Sequence, residues 1–179
     1  YFSWKIGLPF SYRFCNRGTA KQPPTCDAAV LNTDFVGRAA SQAAFKASNL
    51  KVMNAVQSGN GRTGLAHQET DFYPVPLQRE HLWPGTIYAD PYGHVLVLSK
   101  WVEQTGESGI LFAVDAQPDN SIARKRFWEG TFLFTNIPSA GPGFKAFRPL
   151  VNNRLLKNEE LADFSLEQSE LAPEEFYAQ

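Results

Sequence analysis

The sequence predicts an α+β fold in which N-terminal helices pack on an antiparallel β-sheet and a helical appendage follows at the C-terminus. The first half of the chain is rich in helix-type patterns, and a run of strand-type segments joined by short turns comes after it. With 179 residues, the chain is long enough to bury one core. We therefore expect one α+β domain at residues 1–140 and a C-terminal extension at residues 141–179 that packs on the same domain.

Composition and motif spacing exclude several classes of function. The formal net charge is −1, so no basic excess predicts nucleic-acid binding. No apolar run reaches the roughly 20 residues that a membrane-spanning helix needs, and no leader sequence is recognisable at the first residues. The glycines at residues 59–64 lack the Gly-Lys-Ser/Thr of a phosphate-binding loop, and the spacing of His67 and His81 matches no zinc site. We expect neither a metal nor another cofactor.

The N-terminal part contains a candidate nucleophile. Residues 1–14 predict a short helix that ends near Gly7 and an extended segment from Pro9 onward. Cys26 follows a loop rich in proline and glycine, and the Ala-Ala-Val-Leu run behind it predicts the first turn of a helix, with Thr25 or Asp27 as its cap. A thiol at a helix N-terminus ionises more readily, because the helix dipole and the free N–H groups favour the thiolate. Cys26 is therefore a candidate nucleophile.

The two cysteines allow other arrangements. Cys15 and Cys26 are the only cysteines of the chain and lie eleven residues apart. In an exported protein they can form a disulfide, which would stabilise the loop and remove the nucleophile. In a third arrangement, Cys15 is the nucleophile and Cys26 is structural.

A helix is predicted over residues 33–58 and is expected to be structural. Asn32 or Thr33 can cap its start, and the polar and glycine residues at 58–61 end it. Its apolar and small residues recur at three- and four-residue steps: Val36, Ala40, Ala43, Ala47, Leu50 and Val56.

The stretch at residues 84–98 predicts a β-hairpin that carries a histidine. Two β-type runs, 86–88 and 95–98, flank an Asp-Pro-Tyr-Gly turn, and His94 opens the second run. A histidine at a strand edge can transfer protons near neutral pH. The structural alternative is a histidine that only donates a hydrogen bond to a carbonyl.

The strands that follow supply polar partners for this histidine. Residues 109–117 predict a buried strand, and antiparallel pairing with residues 95–102 would bring Asp115 or Gln117 toward His94. The basic triplet at residues 124–126 can receive an acidic peptide or glycan, although a solvated strand face is the favoured interpretation. A further strand is predicted at residues 131–134. Residues 158–179 are acidic and helix-prone, which predicts the C-terminal appendage.

Two segments resemble a known family. Residues 84–98, with Pro-Gly-x-Ile before a turn and Gly-His-Val-x-Val-Leu after it, resemble the region of the catalytic histidine in NlpC-type papain-fold cysteine peptidases, the bacterial cell-wall amidases. Residues 7–12, Gly-Leu-Pro-Phe-Ser-Tyr, look like the approach to the nucleophile in that family. The resemblance implies a papain-like fold, a periplasmic or extracellular location, and the peptide stems of peptidoglycan as substrate.

The same resemblance assigns roles to residues of the predicted site. Cys26 would attack the amide carbonyl, His94 would accept and return the proton, and Asp115 would orient the imidazole, with Gln117 as the alternative. Tyr12 would help to stabilise the oxyanion.

One departure from the family supports a competing hypothesis. The family usually has Asp-Cys-Ser-Gly at the nucleophile, whereas this chain has Thr-Cys-Asp-Ala at residues 25–28. A catalytically inactive binding or scaffold domain of the same fold, with Cys15 and Cys26 bridged, is the alternative function.

Overall fold

The computed structural model describes residue 3 and residues 6–32, 41–105, 109–127 and 137–169. In this part of the chain the fold is α+β, with one N-terminal α-helix and a six-stranded antiparallel sheet, which confirms the predicted class. Helix α1 spans Gln42–Ala55, and the single helical turn α2 spans Ser58–Gly61. The strands are β1 (Ser11–Tyr12), β2 (Val30–Leu31), β3 (Phe72–Pro74), β4 (Ile87–Ala89), β5 (Val95–Glu103), β6 (Gly109–Ala116), β7 (Ile122–Arg126), β8 (Gly143–Phe147), β9 (Leu150–Val151) and β10 (Arg154–Leu155).

The main sheet has the strand order β3-β8-β4-β5-β6-β7, and all its neighbouring strands are antiparallel. Strands β4 to β7 are adjacent in both sequence and space, as short turns between β-type runs dictate. Strand β8 instead returns from a distant part of the sequence and lies between β3 and β4. The residues immediately before β5 and after β6 thus lie at one end of neighbouring strands.

The core lies on one face of this sheet. Tyr88, Leu98 and Phe144 are each at most 2% exposed, and the aromatic rings of Tyr88 and Phe144 lie 5.0 Å apart. The pairing of β5 with β6 shifts between Leu98 and Lys100. This bulge keeps Leu98 and Trp101 on the same face, because they pair with Ala113 and Leu111, which are two positions apart on β6.

Helix α1 is shorter than the predicted helix, and the side chains that it buries are not the apolar ones that the sequence pattern predicted. It begins after Ser41, whose hydroxyl accepts a hydrogen bond from the Ala44 N–H at 3.1 Å. Ser48 is its one fully buried residue, whereas Leu50 and Met53 are more than half exposed. The predicted start of the helix at residues 33–40 lies outside the described residues. Residues 58–61, which were expected to end the helix, form the separate turn α2.

The prediction of a helical turn directly after Cys26 is wrong, because residues 10–32 form an irregular hairpin. Strand β1 pairs with β2, and the side chain of Asn32 closes the open end. Its Oδ1 accepts from the Phe10 N–H at 2.9 Å, and its Nδ2 donates to the Leu8 carbonyl at 3.0 Å. The buried side chain of Asn32 is thus a hydrogen-bond partner for two backbone groups of the opposite segment, and its predicted role as a helix cap depends on residues outside the described ranges.

The described part of the C-terminal extension contains no α-helix, so the helical appendage is not found there. Residues 143–147 form β8 inside the main sheet, and β9 and β10 form a small hairpin. Residues 158–160 and 167–169 are single 3-10 turns. Gln168 anchors the last of these turns, since its amide donates to the carbonyls of Val75 and Phe144 at 2.6 and 2.8 Å. Residues 170–179 lie outside the described residues.

Two other predicted elements cannot be followed in full. The strand predicted at residues 131–134 lies outside the described residues, and so does most of the short helix predicted before Gly7. None of the helices in the described ranges is long and apolar enough to cross a membrane.

Candidate functional site

The predicted hairpin at residues 84–98 is confirmed, and His94 stands at its mouth. Strands β4 and β5 pair antiparallel, with Ala89 opposite Val95. Between them, the Asp90 N–H donates to the His94 carbonyl at 2.8 Å. Gly93 has φ +128°, a conformation that L side chains rarely adopt, so this position in the turn favours glycine. The side chain of His94 is 53% exposed and faces a cleft.

Asp115 lies against His94, as the strand pairing predicts. Strands β5 and β6 are antiparallel with Val97 opposite Val114, which places Asp115 diagonally across from His94. The Nδ1 atom of His94 lies 3.0 Å from Oδ2 and 3.3 Å from Oδ1 of Asp115. The proximity of the two side chains is confirmed, and the catalytic role of the pair stays a prediction.

Gln117 extends this pair into a chain of three polar groups. Its Nε2 donates to Oδ2 of Asp115 at 2.8 Å. Asp115 is only 4% exposed, so its buried carboxylate depends on these two partners. A carboxylate beside Nδ1 accepts a hydrogen bond from an Nδ1–H, so between the two tautomers of the ring it favours the one with the proton on Nδ1 and leaves Nε2 available to a ligand in the cleft. The sequence predicts Asp115 and Gln117 as alternative partners of His94; in the structure Asp115 contacts His94 directly and Gln117 contacts Asp115.

The two cysteines form a disulfide, which corrects the assignment of Cys26, or of Cys15, as a free nucleophile. The S–S distance is 2.06 Å, and the chain contains no free cysteine. The residues face each other across the N-terminal hairpin, where the Asn16 N–H donates to the Thr25 carbonyl and the Asp27 N–H donates to the Phe14 carbonyl. Cys26 therefore lies in an extended segment, and the helix dipole that was expected to favour its thiolate is absent.

Tyr12, the predicted oxyanion residue, lies in β1 and is 7% exposed. It pairs with Val30 in the same hairpin that carries the disulfide. Two pockets that include His94 in their walls contain neither Tyr12 nor a cysteine. No hydrogen bond within the described residues joins Tyr12 to His94, and the oxyanion role of Tyr12 stays a prediction.

The N-terminal hairpin nevertheless reaches the site through α2. The Nε2 of Gln57, at the start of α2, donates to the Cys15 carbonyl at 2.6 Å. Asn60 donates to the Arg13 carbonyl at 2.8 Å. A side chain at Gly59 would lie 2.3 Å from the Asn16 carbonyl oxygen, so only glycine allows this close approach. The sequence had indicated a loop here; the glycines at 59 and 61 were the one available signal of close backbone packing.

His94 and Asp115 separate two pockets. One pocket, of about 240 Å³, lies on the core side and is lined by Tyr88, Asp90, Leu96, Lys125, Arg126 and Phe127 in addition to the pair. The other, of about 520 Å³, lies between α2 and the residues that follow β6, and Gln57 and Asn60 are in its wall. A third pocket of about 540 Å³ lies beside β9 and β10 and includes no residue of the His94 site.

Buried charges lie behind the second pocket. Lys145 is 1% exposed, and its ammonium donates to the carbonyls of Gly61 and Thr63, each at 2.7 Å. Burial, and to a smaller extent the charge of Arg62, lower the pKa of Lys145 to about 7. Burial also raises the pKa of Asp71, against hydrogen bonds from the Asn60 side chain and the Arg13 N–H. These groups fix α2 and the N-terminal hairpin to the sheet.

The remaining histidines are separate from this site. His81 lies 3.7 Å from a carboxylate oxygen of Asp163, and His67 is exposed. In the residues that the structure describes, no group of three or more acidic, histidine or cysteine side chains is arranged to hold a metal ion.

Comparisons of the chain with protein families, with curated proteins and with solved structures found no match.

Proposed function

We propose that this chain is a binding domain of the papain-like, NlpC-type class, which holds a peptide or peptidoglycan ligand in the cleft at His94. The disulfide carries this proposal, because it leaves the chain without a thiol to act as nucleophile. A disulfide between the only two cysteines is also consistent with an oxidising compartment outside the cytoplasm. We extend this to a periplasmic or extracellular location.

The cleft offers groups that suit a peptide. The half-exposed ring of His94 can exchange a hydrogen bond with an amide through Nε2, while Asp115 and Gln117 hold the ring in place. Beside it, Tyr88 and Phe127 supply an apolar wall, with their rings edge to face at 5.2 Å. A few oriented polar groups beside aromatic side chains are typical of a ligand pocket.

Cosedimentation with purified peptidoglycan tests this proposal. The oxidised protein should sediment with the polymer, and His94→Ala should weaken this binding at least severalfold, because the exposed ligand contact is lost. The matched control is His67→Ala, which removes an exposed histidine outside the cleft. Failure of the native protein to bind, or equal binding by His94→Ala, would overturn the proposal.

A second candidate, a cysteine hydrolase of amide bonds, is favoured by one observation. The His94-Asp115-Gln117 arrangement is what a general base requires, with the imidazole oriented by a buried carboxylate. In this candidate an external dithiol first reduces the disulfide and is itself oxidised. His94 then takes the proton of the Cys26 thiol, or of the Cys15 thiol, and the resulting thiolate attacks the carbonyl. His94 returns this proton to the leaving amine, and Tyr12 assists the oxyanion. Water finally releases the acyl group.

Fragment release separates the two candidates. Soluble fragments should appear from peptidoglycan only in the presence of dithiothreitol if the hydrolase candidate is correct, and Cys26→Ala and His94→Ala should each abolish them. No release by the reduced protein, together with binding by the oxidised protein, supports the binding domain alone. If Cys15→Ala is inactive and Cys26→Ala is active, the nucleophile is Cys15.

A further inference from the structure

We infer that the pocket between Tyr88, His94 and Lys125 receives the carboxylate of a peptide ligand, with Lys125 as its ionic partner. This inference rests on the proposed function, since it names the chemistry of a ligand in the same cleft. It assigns a ligand-binding role to the basic segment at residues 124–126, for which the sequence pattern favoured a solvated strand face.

The strand register decides which of the basic side chains faces the pocket. Strand β7 pairs with β6 so that Lys125 is opposite Ala113 and Ala123 is opposite Asp115. Side chains two positions apart on a strand share a face, so Lys125 lies on the same face as Asp115. Arg124 and Arg126 alternate to the other face, and the pocket includes Arg126 as part of its edge.

The charges around the pocket leave Lys125 available to a ligand. Asp115 lies on this face, but its carboxylate is already bound by His94 and Gln117. Asp90, on the far side, accepts from the Tyr92 N–H at 2.5 Å. Within the described residues, Lys125 forms no ion pair at 4.0 Å or less. An ammonium group at the edge of a pocket, without an anion of its own, favours an anionic ligand group.

The size and walls of the pocket narrow the ligand further. A volume of about 240 Å³ is small for a whole drug-sized ligand, so it suits one end of a longer molecule. Tyr88, Leu96 and Phe127 form the apolar part of its lining, which suits a small aliphatic side chain. A peptide end with a free α-carboxylate combines these features. Its carboxylate would lie toward Lys125, and its preceding amide would lie toward His94.

A pair of probes that differ only in charge tests the inference. N-acetyl-alanyl-alanine and its C-terminal amide are titrated into the isotope-labelled, oxidised protein, and binding is followed by NMR. We expect the acid to bind roughly tenfold more tightly than the amide, as a charge-assisted hydrogen bond predicts. Lys125→Gln should reduce this preference to about one, and Lys125→Arg should restore it. The matched control, Lys100→Gln, removes an exposed lysine on β5 that is not in the pocket and should retain the preference.

The outcomes distinguish this inference from the proposed function. Equal binding of acid and amide by the native protein, or a full preference in Lys125→Gln, would overturn the carboxylate assignment and leave the proposed function intact. Binding of neither probe would overturn the assignment, and it would count against the proposed function as well if peptidoglycan is also not retained.

Discussion

Removal of the Cys15–Cys26 crosslink should lower the free energy of unfolding by about 3 kcal/mol. The bridge joins residues eleven positions apart, and the loop-entropy relation gives roughly this value for a loop of that length. Reduction deletes no atoms, so the difference between the oxidised and the reduced native protein isolates this contribution. Cys15→Ala with Cys26→Ala should cost about 1 kcal/mol more, because Cys15 is fully buried and its sulfur would leave a cavity.

The hairpin should keep its fold without the crosslink. Backbone hydrogen bonds remain on both sides of the bridge, with the Asn16 N–H to the Thr25 carbonyl at 3.0 Å and the Asp27 N–H to the Phe14 carbonyl at 2.9 Å. The closure by Asn32 also remains. We therefore expect cooperative unfolding of the reduced protein at a lower denaturant concentration, and not a loss of structure in its absence.

Urea unfolding followed by tryptophan fluorescence measures this difference, since the chain has four tryptophans. Mass spectrometry confirms the redox state of each sample, and a thiol titration of the native oxidised protein should find no reactive group. Equal free energies of unfolding for the oxidised and the fully reduced protein would refute the structural role of the bridge. A reactive thiol in the untreated protein would refute the disulfide itself and return Cys26 to the position of a nucleophile.

Three further predictions concern the buried polar groups. The pKa of Lys145 is about 7 in the folded protein and near 10.5 in the unfolded chain. Between these pH values unfolding takes up a proton, so the free energy of unfolding should rise by roughly 1 kcal/mol per pH unit. Urea midpoints at pH 7.5 and 9.5 should show this rise in the native protein but not in Lys145→Met, and an equal rise in both proteins would contradict the prediction. Gln168→Leu should cost about 3 kcal/mol in urea unfolding, because it removes three buried hydrogen bonds, to the Phe144 N–H and to the carbonyls of Val75 and Phe144. Gln104→Leu at an exposed position should cost little, and similar losses for the two variants would exclude the anchoring role. Asp115→Asn should shift neutral His94 from the Nδ1-H toward the Nε2-H tautomer in nitrogen NMR spectra, and a native ring already in the Nε2-H form would exclude the proposed orientation.

The parts of the fold that local signals determine could be predicted from the sequence. The Asp-Pro-Tyr-Gly turn and the β-type runs on either side of it determine the β4–β5 hairpin with little help from distant residues. The short polar turn after β5 then requires antiparallel pairing with β6. Given this pairing, β6 runs back alongside β5, so Asp115 and Gln117 at its end must lie close to His94. The central pair of the site thus follows from sequence patterns within about thirty residues.

The cysteines could not be assigned in this way. The Ala-Ala-Val-Leu run after Cys26 suits either a helix or a short strand, and no local residue decides between them. The choice is made by residues 10–16, which offer an antiparallel partner, and by the buried side chain of Asn32, which closes the hairpin. Asparagine is usually a cap or turn residue. Its role as a side-chain partner for two distant backbone groups therefore carries no signal in the sequence.

Buried polar residues with distant partners were missed for the same reason. Lys145 and Gln168 have the composition of surface residues, and charged or amide side chains are seldom fully buried. Each is buried here because its side chain donates hydrogen bonds to backbone carbonyls of distant segments, over sequence separations of 84 and 93 residues. Only the folded topology brings these carbonyls within reach, so no pattern in the neighbouring sequence can predict the bonds.

The disulfide hairpin contacts the pocket between α2 and the end of β6 through Gln57 and Asn60, and His94 borders both this pocket and the proposed ligand pocket. Gln57 lies in the wall of the pocket between α2 and β6, and its Nε2 donates to the carbonyl of Cys15. The backbone of Cys15 is held by the crosslink, so the crosslink also fixes the position of this wall relative to His94. A ligand that binds only the folded chain stabilises it, by an amount that grows with the logarithm of the ligand concentration divided by its Kd. Reduction that loosens the wall must therefore lower both the stability and the ligand affinity, whereas a bridge that only stabilises the fold would lower the stability alone.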